Sequence, residues 1–405
     1  MGITSRFPAL AFRDFRLFWC GQVISLSGTW MHSVAQSWLV YSLTHSPLYL
    51  GLIASLSSLP ILLFTVFGGM VADRYPKRTV LIVTQFLSAV PALFVAILAD
   101  LHIITVWHVG AAALALGIIN AFDVPTRQSF LVEVVDRSAI TNAIALNSAA
   151  FNGARILGPV IAGFVIALVG IPACFYLNAL SFIAVLFALS RIRARGVIPR
   201  EGKSMRQDLA AGWRFVVREP SVFPIMALIA IFSLFGIPYM ILLPVLADDV
   251  LGAGVTGLSL LVASAGIGSF VAAMSMALRG DAANKEKFMP WPALVFSLAI
   301  TLIPFSDNLY ISMLLMWFAG WGVVSFLAAA NSFIQHAVPD ALRGRVMSLY
   351  TLVFLGLAPI GNSLIGVLAH SVGTPLSLKL TGLICIAASA VLARTFWHAQ
   401  REVKL

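Results

Sequence analysis

Apolar residues run along this chain in stretches of about twenty, the length a helix needs to cross the hydrocarbon core of a bilayer. Runs near 16–43, 48–72, 79–99, 104–124, 140–169 and 171–191 precede a polar gap. Six more follow near 221–247, 255–279, 288–306, 309–332, 346–369 and 374–396. The pattern predicts an all-α membrane protein of twelve transmembrane helices in two pseudo-symmetric six-helix bundles, 1–191 and 221–405. Residues 192–220 are expected to form a cytoplasmic central loop, in which Leu209 to Val217 has the spacing of an amphipathic helix lying on the surface. The first run is too long for a removable signal peptide and no small-residue cleavage site follows it, so it is expected to stay as an anchor.

Composition turns that pattern into a solvent argument. Of 405 residues 60% are hydrophobic and 10% charged, where a soluble domain carries about 25% charged residues. Much of the apolar surface therefore needs lipid, and in lipid every backbone group must be satisfied within helices or a closed barrel. Helix-length runs select helices. The three cysteines, Cys20, Cys174 and Cys385, each sit in an apolar run and suggest neither a disulfide nor a metal site. No cofactor is expected.

A formal charge of +10 raises the question of nucleic acid. All 26 Lys and Arg except Arg155 and Lys379 fall in the termini and the even-to-odd loops, while the opposite loops carry Asp100, Asp248, Asp249 and Asp307. The positive-inside rule then places both termini and the central loop in the cytoplasm. The charge is topological, and nucleic acid is not an expected partner.

A shift of 203 positions aligns Ser129-Phe130 with Ser332-Phe333, Gly158 with Gly361, Gly163 with Gly366, Gly170 with Gly373, and Pro172 with Pro375, without a gap. Six spans per copy keep both copies in one orientation, giving a parallel repeat of the kind found in rocker-type transporters.

Between the second and third spans, Gly69-Met-Val-Ala-Asp73-Arg74-Tyr-Pro76-Lys77-Arg78 resembles the signature loop of the major facilitator superfamily, with Pro76 where a glycine is usual. More closely, Gly21 to Tyr41, Pro238 to Gly252 and Arg343 to Tyr350 are similar to the bacterial exporter branch that includes enterobactin exporters. His32 stands where that pattern leads one to expect glutamine, and the matching loop in the second half, Arg279 to Lys287, is degenerate. The resemblance implies a monomeric secondary active transporter with the major facilitator fold. It would export a small amphipathic or anionic solute across a bacterial inner membrane by alternating access, with proton antiport. It also implies that Asp73 meets the positive end of a helix in the other half when the cytoplasmic side closes, which a helix dipole would favour. Gly69, Asp73, Arg74, Lys77 and Arg78 are accordingly gating candidates, and the competing reading is a loop that merely orients the protein.

Inside the membrane, Arg155 is the costliest residue, since a lipid-facing arginine at mid-span costs at least about 2.5–3.5 kcal/mol. Thr141, Ser148, Asn152, Arg155 and Pro159 share one helix face. Arg155 reads either as a partner for an anionic solute or a carboxylate, or as a buried tie to backbone carbonyls. Asp123, near the cytoplasmic end of the fourth span, is the nearest carboxylate and reads as a loop cap or a proton carrier. On the first span Gln22, Ser25, Thr29, Ser33 and Gln36 fall within one arc, expected to line a cavity, with His32 at its edge as a proton carrier or an ordinary helix contact. Gly158-Pro159-Val-Ile-Ala162-Gly163 resembles the Gly-Pro motif of superfamily exporters, and generic helix packing would equally use it.

Competing classes are poorly served. Gly202-Lys203-Ser204 lacks the upstream glycine of a nucleotide-binding loop, Val197 standing at that position, which argues against an ATP-driven pump. No cluster of polar residues at one depth suggests a membrane enzyme. A non-transporting sensor stays open because fold does not fix function. Siderophores, drugs and lysophospholipids all suit a cavity with one arginine, amides, hydroxyls and aromatics.

Overall fold

Helix-breaking residues set where the spans stop. The computed structural model describes residues 7–192, 205–279 and 288–402, helical apart from short turns and without a strand among those residues. The first six long helices are α1 (Arg13–Thr44), α2 (Pro47–Arg74), α3 (Lys77–Asp100), α4 (Val106–Glu133), α5 (Ile140–Leu168) and α6 (Ile171–Arg191). α1 ends where His45 turns left-handed and gives its N–H to the Tyr41 carbonyl at 2.7 Å, and Pro47 opens α2. Between α5 and α6, Gly170 takes φ +106°, a conformation L side chains avoid, and Pro172 sits in the first turn of α6.

The second set comprises α7 (Met205–Arg218), α8 (Phe223–Val250), α9 (Gly254–Arg279), α10 (Pro290–Leu302), α11 (Leu309–Ala337), α12 (Asp340–Gly356), α13 (Ala358–Val372) and α14 (Thr374–Glu402). α8 is irregular: wide turns at Phe232–Gly236 and Leu246–Val250 bracket a tight stretch, Ile237–Leu242, that contains Pro238. Proline removes the amides an unbroken helix would use there. α12 and α13 are two parts of one span, broken at Leu357 just ahead of Pro359.

Among the described residues ten helices are long and apolar enough to cross a membrane, and Pro290–Phe305 is a shorter apolar one. α1 has the length, but Gln22, Ser25 and His32 dilute its apolar run. Several helices also outrun the apolar stretches that announce them. α4 continues to Glu133 and α11 to Ala337 rather than stopping near 124 and 332, because a helix need not end where its apolar run does. The consequence is that Arg127, a loop residue by hydropathy, is a helix residue. The Gly202-Lys203-Ser204 segment and most of the Arg279 to Lys287 loop lie outside the described residues.

Contacts divide the chain into two compact units, Met1–His45 with Leu56–Glu201, and Ser46–Ser55 with Gly202–Leu405. In the first unit, Phe18 meets Phe130 edge to face at 5.3 Å within a core that includes Phe15, Leu81 and Leu189. In the second, Phe232 packs against Phe296 and Phe326 at 4.9 and 5.1 Å. Also within the second, Ser55 Oγ lies 2.7 Å from the Pro359 carbonyl and α7 packs on α12, its Val216 buried and its Trp213 exposed. Large apolar side chains such as Phe86, Val90 and Phe94 on α3, four residues apart, point outward, as lipid-facing positions must.

The internal repeat reappears as matched packing inside each unit. Gly158 lets α5 approach the backbone of α1 at Ser27 and Met31, and Gly361 lets α13 approach α8 at Ser233 and Leu234. The same shift pairs Gly117 on α4, which meets the Ser57 carbonyl, with Gly320 on α11, which meets the Ala265 carbonyl. Gly373, at φ +85° ahead of Pro375, copies the Gly170 turn.

Candidate functional site

Close approach of α5 to α1 builds the most unusual feature of the first unit. A Cβ at Gly158 would lie 2.4 Å from Trp30 Cβ and 2.8 Å from the Ser27 carbonyl, so only glycine allows this crossing. Pro159 and Gly163 are buried beside it. One turn earlier, the Arg155 guanidinium lies over the Trp30 ring at 5.5 Å, and Trp30 meets Phe151 edge to face at 5.9 Å. A cation over an indole face gains about 0.5–2 kcal/mol, more as water is excluded. Asn152 is half-buried and donates from Nδ2 to the Ser148 carbonyl at 2.9 Å. Thr29, next to Trp30, is exposed and donates to the Ser25 carbonyl at 2.9 Å. Arg155, Trp30, Asn152 and Thr29 thus supply a cation, an aromatic face, an amide and a hydroxyl from two adjoining helices.

His32 and Gln22 of the first span are instead held by neighbouring helices. His32 is buried against α6, its Nε2 3.2 Å from Gln36 Oε1, its Nδ1 3.2 Å from Asn178 Nδ2, and its ring edge-on to Phe175 at 4.8 Å. With the Asn178 amide donating to Nδ1, the proton sits on Nε2 and is given to Gln36. Gln22 is also buried, and its Oε1 accepts from Arg127 Nη1 at 2.9 Å.

Asp123 is buried at the junction of α1, α3 and α4. Its Oδ1 accepts from Thr84 Oγ1 at 2.7 Å and Gln85 Nε2 at 2.9 Å, and its Oδ2 pairs with Arg127 Nη2 one turn along the same helix. Sequence reading had Asp123 but not its partners. The Asp123–Arg127 spacing of four was the available signal, hidden by the early end given to the fourth span. Thr84, Gln85 and Trp30 had none, being assembled from separate helices.

The loop candidates fall into two groups. Asp73 and Arg74 are exposed. Lys77 is buried in an ion pair with Glu133 at the end of α4, and Arg78 donates from Nε to the Leu189 carbonyl at 2.6 Å and from Nη2 to the Ser190 carbonyl at 3.0 Å. Arg78 thereby satisfies carbonyls that the last turn of α6 leaves open. Gly69 has open space around it, whereas the neighbouring Gly68 abuts the Ala121 carbonyl, to which a Cβ would come within 2.0 Å.

Comparison with known proteins agrees with this architecture. Residues 4–403 match the family model described as transmembrane secretion effector. The chain is 25% identical over 393 residues to the staphyloferrin A transporter of Staphylococcus aureus, covering 96% of this chain and 97% of the relative. It is 26% identical over 381 residues to the multidrug efflux pump Tap of Mycolicibacterium fortuitum, covering 91% and 93%. To the enterobactin exporter EntS of Shigella boydii it is 23% identical over 360 residues, covering 87% and 84%. Among solved structures, a POT family transporter superimposes with a TM-score of 0.75 at 13% identity, covering 94% of this chain and 95% of that one, a likeness of fold alone.

Proposed function

Starting from the fact that this chain belongs to the transmembrane secretion effector family, with the fold of the major facilitator superfamily, we propose that it is a monomeric secondary active exporter of a small, anionic or amphipathic, siderophore- or drug-like solute. It works across the bacterial inner membrane by alternating access and in exchange for protons, with both termini in the cytoplasm. Residues 1–191 and 221–405 act as the moving bundles, joined by 192–220. The observation that carries the solute class is Arg155 over Trp30 at 5.5 Å in mid-span. A cation and aromatic faces presented beside Asn152 and Thr29 suit an organic anion, and the names of the relatives, which cover two siderophores and multiple drugs, fit the same class.

In this reading Asp73 and Arg74, being exposed, are the gating charges that change partners, while Lys77 and Arg78 hold the loop to its own bundle. Counterflow of labelled staphyloferrin A, enterobactin and a panel of cationic and anionic drugs in proteoliposomes tests the function. The expected result is saturable exchange of at least one anionic solute, with weakened affinity in Arg155→Ala. No exchange across the panel would favour the sensor reading. Efflux that survives an uncoupler under a sodium gradient would remove the proton, and full transport by Asp73→Asn at normal surface expression would remove the gate.

A further inference from the structure

The partners of Asp123 on α3, Thr84 and Gln85, can serve its carboxyl with or without a proton. Thr84 has one hydroxyl proton and two acceptors in reach, Asp123 Oδ1 at 2.7 Å and the Leu81 carbonyl at 3.1 Å. When Asp123 is ionised the proton serves the carboxylate. When Asp123 carries a proton, Thr84 can turn its own to Leu81 and accept instead. Gln85 Oε1 is buried and, among the described residues, accepts from nothing, so rotation of that amide offers a second acceptor for the acid. A buried acceptor without a donor costs about 1–3 kcal/mol, and a network built for one protonation state has no use for one.

The charged groups around it are few. Arg127 shares its helix, Gln22 reaches in from α1, and Thr84 and Gln85 from α3. Among the described residues the cation seen paired with Asp123 is Arg127, and Glu133, farther along α4, pairs with Lys77. Protonation therefore acts on the Asp123–Arg127 pair. It converts Asp123 to a neutral acid and leaves Arg127 Nη2 without its anion, while Nη1 remains on Gln22. Arg127 Nε is already buried without an acceptor among the described residues. The freed cation must then find new acceptors, and its remaining tie is to α1, the helix that also carries Trp30.

We infer that Asp123 is the carboxylate that takes up and releases the transported proton, with Thr84 and Gln85 as positioning residues and Arg127 passing its charge state to α1. The step is a proton transfer from hydronium to carboxylate, giving water and a carboxylic acid, and it rests on the reading of the protein as a proton antiporter. The test needs no solute. Infrared difference spectra between acidic and alkaline buffer, taken on protein in liposomes, should show the carbonyl band of a buried protonated carboxyl. Asp123→Asn should lose it, Glu133→Gln should keep it, and Thr84→Val should displace it. If Asp123→Asn does not assemble, Asp123→Asn with Arg127→Gln removes the pair as a unit and gives the same readout. A band that is absent in the unmodified protein, or that persists without Asp123, overturns the assignment. In counterflow with enterobactin or staphyloferrin A, Asp123→Asn should keep exchange and lose at least tenfold in gradient-driven flux. Retained gradient-driven flux overturns the proposal, and so does unmodified protein whose net flux ignores a pH gradient. Absence of any exchange by the unmodified protein counts against the exporter reading alone, and the infrared band then decides Asp123.

Discussion

Two adjacent glycines, one of which the superfamily signature picks out, should behave oppositely when given a methyl group. Gly69 opens the signature loop motif, yet a Cβ there meets nothing within 4 Å, whereas a Cβ on Gly68 would lie 2.0 Å from the Ala121 carbonyl oxygen and 2.9 Å from Phe122 Cα. Ordinary contact begins near 3.4 Å, so α2 and α4 would have to part by about 1.4 Å. Both offending atoms are backbone, which cannot rotate aside. The crossing is tight for a reason: Pro125 has no N–H, so the Ala121 carbonyl lacks its intrahelical donor, and a Cα–H is a weak substitute that only a glycine brings close. Overpacking of this kind costs about 1–3 kcal/mol, which corresponds to a loss of about 5- to 150-fold in the folded-to-unfolded ratio. Gly69→Ala should be neutral or slightly stabilising, since alanine favours the helix by up to about 1 kcal/mol. Thermal denaturation of the purified variants, followed by thiol-reactive dye and by size-exclusion profile, compares them directly. Equal melting of Gly68→Ala and Gly69→Ala would refute the packing argument. A Gly69→Ala variant that melts normally but transports poorly would instead assign that glycine to motion.

Three further outcomes follow from the first unit. Arg155→Ala and Trp30→Ala should each weaken solute affinity, and the double variant should show a coupling of about 0.5–2 kcal/mol in a cycle of counterflow affinities; additive losses would mean that the cation and the ring act separately. Lys77→Ala should destabilise more than Lys77→Ala with Glu133→Ala, because removing one member of a buried pair strands the other at a cost of about 3–5 kcal/mol; melting temperatures in the reverse order would show that the pair is solvated. His32→Gln should keep transport, since an amide can bridge Gln36 and Asn178, while His32→Leu should lose about 1–3 kcal/mol of stability by leaving those amides unpaired; transport lost in His32→Gln with normal melting would make the imidazole a proton carrier.

Much of the fold was legible because lipid enforces a simple rule. A long apolar stretch that crosses lipid must be a helix, so most spans could be placed to within a few residues. Failures occurred where that rule relaxes. α1 is diluted by polar side chains that turn into helix seams, α8 is remade by Pro238 and Pro244, and α4 runs on past its apolar run to Glu133. The last of these had a chemical consequence, since hydropathy put Arg127 in water and the helix puts it against Asp123.

The candidate site was legible by composition but not by assembly. Arg155, His32, Gln22 and Asp123 all stand out as polar residues in apolar surroundings, but helix faces alone left open what each of them meets. Their contacts separate them into three sets: Arg155 with Trp30, His32 with Gln36 and Asn178, and Gln22 with the Asp123–Arg127 pair. A helical face only says which residues point together. Whether they meet solute, a neighbouring helix or each other is settled by glycines such as Gly158 and Gly28, which fix how closely another helix approaches. The division has a functional edge, because α1 takes part in all three sets. A charge change at Asp123 acts on Gln22, and Gln22 and Trp30 are held by one continuous helix, Arg13–Thr44. Under the proposed antiport, proton and solute would compete through the placement of α1 without touching each other. Stiffness of that helix is then a condition of coupling, and a glycine pair introduced between Gln22 and Trp30, at Ile24 and Leu26, should uncouple flux from the proton gradient while sparing exchange.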